Sequence, residues 1–365
     1  MIKLLFESLR RAGNGRDRSL RFLLPTVLLL CACTQPEEKQ PDLTNAHWQP
    51  QDSGISASFR GISAVDENIA WVSGTNGSCL RTVDGGLSWQ AATVAGADSL
   101  DFRDVHAVDE NRAYLMSAGP GKRSRIYKTI DGGQNWQLQF LNTIPEGFLD
   151  GIAFWDEKSG LAYGDPLEGH LFILKTTNGG TTWHRIANQN IPRVMAGEYS
   201  FAASGTGIVV LGKNAWISTG GAAARVFRST DRGETWTAVS TPFVNGESAG
   251  IFSLAFRDAQ NGIAIGGDYR KPDAGESNLA RTMDGGQTWT LVKSHSVAYR
   301  SCVQYIPGTL ALVSVGPSGS DISVDDGLTW TKLDTIGYHT LSFAPGMKVG
   351  WAAGADGRIA KFDLR

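Results

Sequence analysis

From residue 57 onward the apolar residues fall in short runs broken by glycine or polar turns. The first group reads Ile62 to Val65, Ile69-Ala70-Trp71-Val72 and Cys79-Leu80-Arg81-Thr82. Runs this short, bounded by turn residues and rich in β-branched and aromatic side chains, predict strands rather than helices. A compact turn and one further strand-like stretch follow, so the unit is three strands, a turn and a fourth strand.

The turn itself repeats. Thr82-Val-Asp-Gly-Gly-Leu-Ser-Trp89 is matched by segments starting at Thr129, Thr176, Ser229, Thr282 and Ser323 and ending at Trp136, Trp183, Trp236, Trp289 and Trp330. These are Asp boxes, Ser/Thr-x-Asp-x-Gly-x-Thr-Trp, at a spacing of roughly 40–55 residues, the period of a four-stranded propeller blade. The acid (Asp84, Asp131, Asp231, Asp284 and Asp325, with Asn178 in the third copy) is expected to cap turn amides, the glycine to take a backbone angle closed to other residues, and the tryptophan to pack the turn on its blade. Six blades are expected at about 57–95, 100–141, 147–188, 198–240, 249–294 and 297–334. Gly350 to Phe362 aligns with Ala70 to Thr82 and gives a seventh blade without its outer strand. His47-Trp48-Gln49-Pro50 resembles the strand after each box, so it is expected to close the ring from the N-terminus and leave no open edge. The fold predicted is all-β, a seven-bladed propeller over residues 46–365 with an N-terminal strand completing the last blade.

Composition adds the environment. Residues 1–32 carry Lys3, Arg10, Arg11, Arg16, Arg18 and Arg21 ahead of an apolar run from Phe22 to Leu30, the plan of an export signal and too short to span a bilayer. Leu30-Cys31-Ala32-Cys33 resembles a lipobox, with Cys33 the residue to be lipidated and retained. Residues 33–45 are polar and proline-bearing and are expected to be a flexible tether. The leader holds six basic and two acidic groups, so its removal moves the formal net charge from −2 to −6, which does not suggest nucleic acid or an anionic lipid surface as partner. The expected location is a bacterial cell envelope, periplasmic or outer-membrane face, held to the membrane by lipid alone. Cys79 and Cys302 fall in non-adjacent blades, so no disulfide is expected between them.

The boxes, the blade length and the terminal strand exchange resemble the photosystem II assembly and stability factor-like propellers, over residues 46 to 365. The resemblance implies a seven-bladed fold. Its phototroph members are non-catalytic assembly factors for a membrane complex, so it also implies a partner protein rather than a substrate.

Strand order puts the boxes on one face of the ring and the starts of the inner strands on the other. Phe59-Arg60-Gly61, Phe102-Arg103-Asp104, Phe148-Leu149-Asp150 and Tyr299-Arg300-Ser301 align in one register. Arg60, Arg103, Arg300 and Asp150 are therefore expected at the channel mouth, joined by Asp165, Asp268 and His339, and arginine suits a bidentate grip on carboxylate or phosphate. Two readings follow. One is a non-catalytic binding or assembly factor, a monomer holding an envelope protein, a membrane complex or a small anionic ligand at the mouth. The other is a sialidase-like glycoside hydrolase, with Arg60, Arg103 and Arg300 as the triad and Tyr299, Glu198 and Asp104 as the catalytic set. Against it, the Arg-Ile-Pro start of sialidases is missing and sialidases have six blades. No zinc-spaced Cys/His cluster, nucleophile elbow or dinucleotide loop is present, and no cofactor or metal is expected.

Overall fold

The protein's computed structural model describes residues 43–293 and 297–364. The leader (1–32), Cys33 and the tether up to residue 42 lie outside the described residues. Seven four-stranded antiparallel blades account for the sheet structure, one of them widened by a short side hairpin. The first blade runs Phe59–Ala64, Ala70–Gly74, Ser78–Thr82 and Gln90–Thr93 from the channel outward. The last runs Thr340–Phe343, Gly350–Ala353 and Ile359–Asp363, and its fourth strand is His47–Gln51 from the other end of the chain.

That closure places Trp48 opposite Phe362. Its ring sits 5.2 Å from Phe362 and 5.5 Å from Tyr338, and its indole N–H donates to Ser320 Oγ of the sixth blade at 2.9 Å. One side chain thus ties the N-terminal strand to two blades, which accounts for a tryptophan at a site with no box around it.

The core is divided among the seams between blades. Seven buried clusters each span two neighbouring blades. Box turns join these seams as well as their own blades: Gly133, at φ +85°, leaves room for the Trp71 ring of the preceding blade, which a Cβ would meet at 3.3 Å. Trp71 also donates to Asp109 O, and Trp216 to Gly285 O, each across a seam. Inner strands are edges, and their free amides are taken up by the neighbouring blade. Ser63 Oγ accepts from Ala107 N at 3.0 Å, Gln304 Oε1 from Phe343 N at 3.1 Å and Ser342 Oγ from Ala64 N at 3.0 Å.

The fourth blade departs from the expected bounds. Its inner strand is Ile208–Leu211, not a strand opening at Glu198. Glu198–Tyr199 instead pairs with Gly220–Gly221, and that hairpin adds to the inner strand of the fifth blade, Gly246–Phe256. The chain between, Ser200 to Gly207, crosses the channel. Ser204 O accepts from Thr340 Oγ1 of the seventh blade, Ser204 Oγ donates to Ser301 O of the sixth, Thr206 O accepts from Leu254 N of the fifth and Ala202 O from Arg103 of the second. After Phe201 the crossing is made of small residues, Ala202 to Gly207. Gly205, at φ +74°, would place a Cβ 2.2 Å from Asp104 Oδ1.

Candidate functional site

Above the crossing chain the channel widens into a cavity of about 520 Å³ lined by residues of six blades, of the side hairpin and of the crossing segment. Bulges at the starts of the inner strands aim the side chains into it. Phe59 pairs with Gly74 and Gly61 with Ser73, leaving Arg60 unpaired in the ladder; Arg103, Asp150 and Phe252 hold the same place in the second, third and fifth blades. A bulge adds one residue and turns its side chain out of the pleat.

This register corrects part of the alignment. Leu149 corresponds to Phe59, so Asp150 rather than Leu149 faces the cavity. In the sixth blade Cys302 pairs with Val315 and Ser301 N donates to Val315 O, so Ser301 lines the cavity and Arg300 turns away. A shift of one residue reverses the face. Arg300 is 3% exposed and its Nε donates to Asp321 Oδ2 at 2.6 Å, with Ser318 Oγ and Tyr299 O taking Nη1. Arg60, Arg103 and Arg300 therefore do not form a triad.

The remaining catalytic set is also taken apart. Glu198 is 4% exposed and forms a buried pair with Arg225, Nη2 to Oε2 at 2.6 Å; its carboxylate also accepts from Met195 N and Thr219 Oγ1. Asp104 lies below the mouth against Gly205 and accepts from Val105 N and, across the seam, from Ile152 N, both at 2.8 Å. Burial pushes its carboxyl up to about 7, the two amides working against that. Tyr299 does line the cavity, packed edge-on to Phe252 at 4.9 Å. Asp268 accepts from Ser248 Oγ and Arg270 N and holds its own loop, away from the cavity lining.

Arg60, Arg103, Asp150, Asp165 and His339 meet at the mouth. Arg103 is engaged by Asp101 at 2.5 Å and by Ala202 O. Arg60 makes no ion pair or hydrogen bond among the described residues; burial and then Arg103 depress its pKa. His339 Nδ1–H donates to Phe59 O, 3.0 Å away, and burial followed by the charge of Arg60 holds its pKa down at about 4, so it is neutral at pH 7. On the third-blade side Asp150 is 1% exposed with Oδ2 unpartnered, and Asp165 accepts from Ser200 N at 3.0 Å. Burial raises both carboxyls, and Asp165 adds to the rise at Asp150.

On the fifth-blade side of the cavity stands an aromatic wall that the strand alignment did not anticipate. Phe201 and Phe252 stack at 3.9 Å, with Tyr269 edge-on to both and Tyr199 edge-on to Phe201. Phe252 was available to the alignment, since Ile251-Phe252-Ser253 carries in its inner strand the bulge that Phe59-Arg60-Gly61 carries in the first. Phe201 was not, because it comes from the crossing segment.

The box face is built differently. In each of the six boxes the Ser/Thr hydroxyl donates to the acid or amide two residues on and accepts from the glycine N–H four residues on. The first acid shows the rest: Asp84 Oδ1 accepts from Ser88 N at 3.0 Å and Oδ2 from Ser88 Oγ at 2.6 Å. Those bonds to Ser88 hold it down at about 2. Asn178 keeps the geometry by donating from Nδ2 to Thr182 Oγ1 at 2.9 Å.

Fold and mouth together define the class: a seven-bladed Asp-box propeller whose channel is crossed by its own chain and opens on one side into a charged, aromatic cavity. The family model described as photosynthesis system II assembly factor YCF48 matches residues 40–141. The photosystem II assembly lipoprotein Ycf48 of Synechococcus sp. (strain CC9902) is 24% identical over 68% of this chain and 79% of its own, and the Ycf48 of Thermosynechococcus vestitus is 25% identical over 74% and 82%. Among solved structures, YCF48 bound to D1 peptide superposes with a TM-score of 0.65 over 88% of this chain and 99% of that one at 17% identity. A GH74 enzyme of Niastella koreensis shares the fold at 0.60, over 82% of this chain and 52% of its own, at 15% identity. In sequence and fold this chain resembles the photosystem II assembly factor-like propellers.

Proposed function

We propose that the protein is a non-catalytic binding and assembly factor of the cell envelope, lipid-anchored at Cys33, that holds a partner protein through the mouth face. The observation that carries this reading is Arg60, a half-buried guanidinium with no ion pair or hydrogen bond among the described residues, in a cavity walled by aromatic rings. A desolvated, unpaired arginine is unfavourable unless a ligand completes it, and arginine with aromatic neighbours is the composition of interface hot spots. The relatives named above are assembly proteins, one is named a lipoprotein, and one is described bound to a peptide. A glycosidase role has no support in the geometry, since Glu198 and Arg300 are each consumed by a buried partner.

The test is site-specific photo-crosslinking in the native envelope. A benzoylphenylalanine at Tyr269, on the exposed rim of the mouth, is expected to give a defined protein adduct that Arg60→Gln removes. The same probe at Leu87, 90% exposed on the box face, should give none. Adducts from Leu87 alone, or adducts indifferent to Arg60, would overturn the reading. A Cys33→Ser protein should leave the membrane fraction.

A further inference from the structure

The mouth carries more than an anion site. Other buried carboxylates of the fold have partners: Glu198 has Arg225, Asp321 has Arg300, and Asp104 takes two backbone N–H donors. Asp150 has no such partner. It is 1% exposed, lines the cavity and leaves Oδ2 without a hydrogen bond. Asp165 stands beside it with a single backbone donor, and neither makes an ion pair among the described residues. Arg103, whose charge reaches Asp150, directs its Nε to Asp101 and its Nη1 to Ala202 O and makes no hydrogen bond to Asp150 among the described residues. An uncompensated buried acid in a cleft is the kind of strain that persists at functional sites. The opposite charge in the same cavity is Arg60, two blades away beyond Arg103 and without an ion pair or hydrogen bond among the described residues, and the stacked rings of Phe201 and Phe252 form a further part of the lining.

We infer that the mouth is completed by a ligand of both signs: a carboxylate seated at Arg60, a primary ammonium or guanidinium group entering the corner of Asp150 and Asp165, and its apolar part against the Phe201 and Phe252 rings of the same cavity. This rests on the reading of the mouth as the binding face. It narrows the partner chemistry from an acidic segment to one in which an acidic group and a basic side chain are presented together. The rings suit both parts, as surface for methylenes and as a negative face for the cation. The ammonium supplies the donors that Asp150 lacks, and a charge-assisted bond to a desolvated carboxylate is the strong kind.

The full chain, purified in detergent, is titrated calorimetrically with ω-amino carboxylates from 4-aminobutanoate to 8-aminooctanoate, and with n-alkanoates and n-alkylammonium ions of the same lengths. The series scans the span between the two corners. One ω-amino acid is expected to bind at least about tenfold more tightly than either single-charge analogue of its length, a gap worth about 1.4 kcal/mol. Asp150→Asn should erase the gap over the alkanoate while leaving alkanoate binding intact, and Arg60→Gln should weaken both. Asp165→Asn, at a less buried position, makes the same test if Asp150→Asn does not fold. Alkanoates binding as well as ω-amino acids at every length would overturn this inference and leave the mouth as an anion-binding face. Alkylammonium ions binding as well would overturn it too, by removing the role of Arg60. Binding by no compound would take down both this inference and the mouth-face reading.

Discussion

The aspartates of the box turns and those around the mouth are the same side chain under opposite conditions. Asp84 and Asp284 lie at the surface with their oxygens bonded to hydroxyl and amide donors one turn away, and both are held at about 2. Asp104 and Asp150 are buried, Asp150 without a donor, and both are raised. A box acid pays for its position locally, within eight residues of sequence. The buried acids are held by the ring as a whole, Asp104 by amides of two blades and Asp150 with Oδ2 left without a hydrogen bond among the described residues. The contrast separates scaffold from site on chemistry alone, and it shows why the more conspicuous acids in the sequence are the less informative ones.

The largest effect expected comes from an acid that sits on the mouth side but is paired like scaffold. Glu198→Ala leaves Arg225 buried without its partner and should cost about 3–5 kcal/mol in denaturant unfolding. A loss under about 1 kcal/mol would place Glu198 with the mouth acids and blur the division. Next is Asp104. Its raised pKa means that the folded state holds its proton more tightly than the unfolded state, so its contribution to stability falls as pH rises from about 4 to about 7 and is constant above. His106 and His339, both held at about 4 by burial first, act in the opposite sense over the same window. The readout is therefore a difference: relative to the wild type, Asp104→Asn should gain about 2–4 kcal/mol between pH 4 and pH 8. A pH-independent difference would mean that the carboxylate is not desolvated. The smallest effect is on the box face. Asp231→Ala removes bonds from Ser229 Oγ, Glu234 N, Thr235 N and Thr235 Oγ1 and should cost about 1 kcal/mol, since these groups can turn to water. Its depressed pKa makes that loss largest above pH 4 and smaller as the pH falls below.

The repeat made the ring legible because each blade writes its own signal locally, and Trp48 made its closure legible because a box tryptophan without a box is out of place. The mouth was legible only to within one residue. Arg60 and Arg103 follow a phenylalanine in a bulge, whereas Arg300 follows Tyr299 where Ser301 takes the channel place, and the text Phe/Tyr-Arg is the same in both. The bulge is set by how the whole blade meets its neighbour, not by the triplet. Partners that decide function also lie at a distance: Asp321 is 21 residues from Arg300 and Arg225 is 27 from Glu198. The crossing segment did leave a signal, the run Ala202-Ala203-Ser204-Gly205-Thr206-Gly207, too small and glycine-rich for a strand that must fill a seam.

The division between scaffold and site is tested most directly by carbon-13 NMR of aspartate carboxyls, titrated from pH 2 to pH 9 in the full chain and assigned through Asp104→Asn, Asp150→Asn and Asp84→Asn. The account predicts Asp84 titrating near 2, Asp104 near 7 and Asp150 well above the ordinary 3.8, with Asp150 moving to lower pH when the tightest ω-amino carboxylate is added. All three carboxyls titrating together near 3.8 would contradict it.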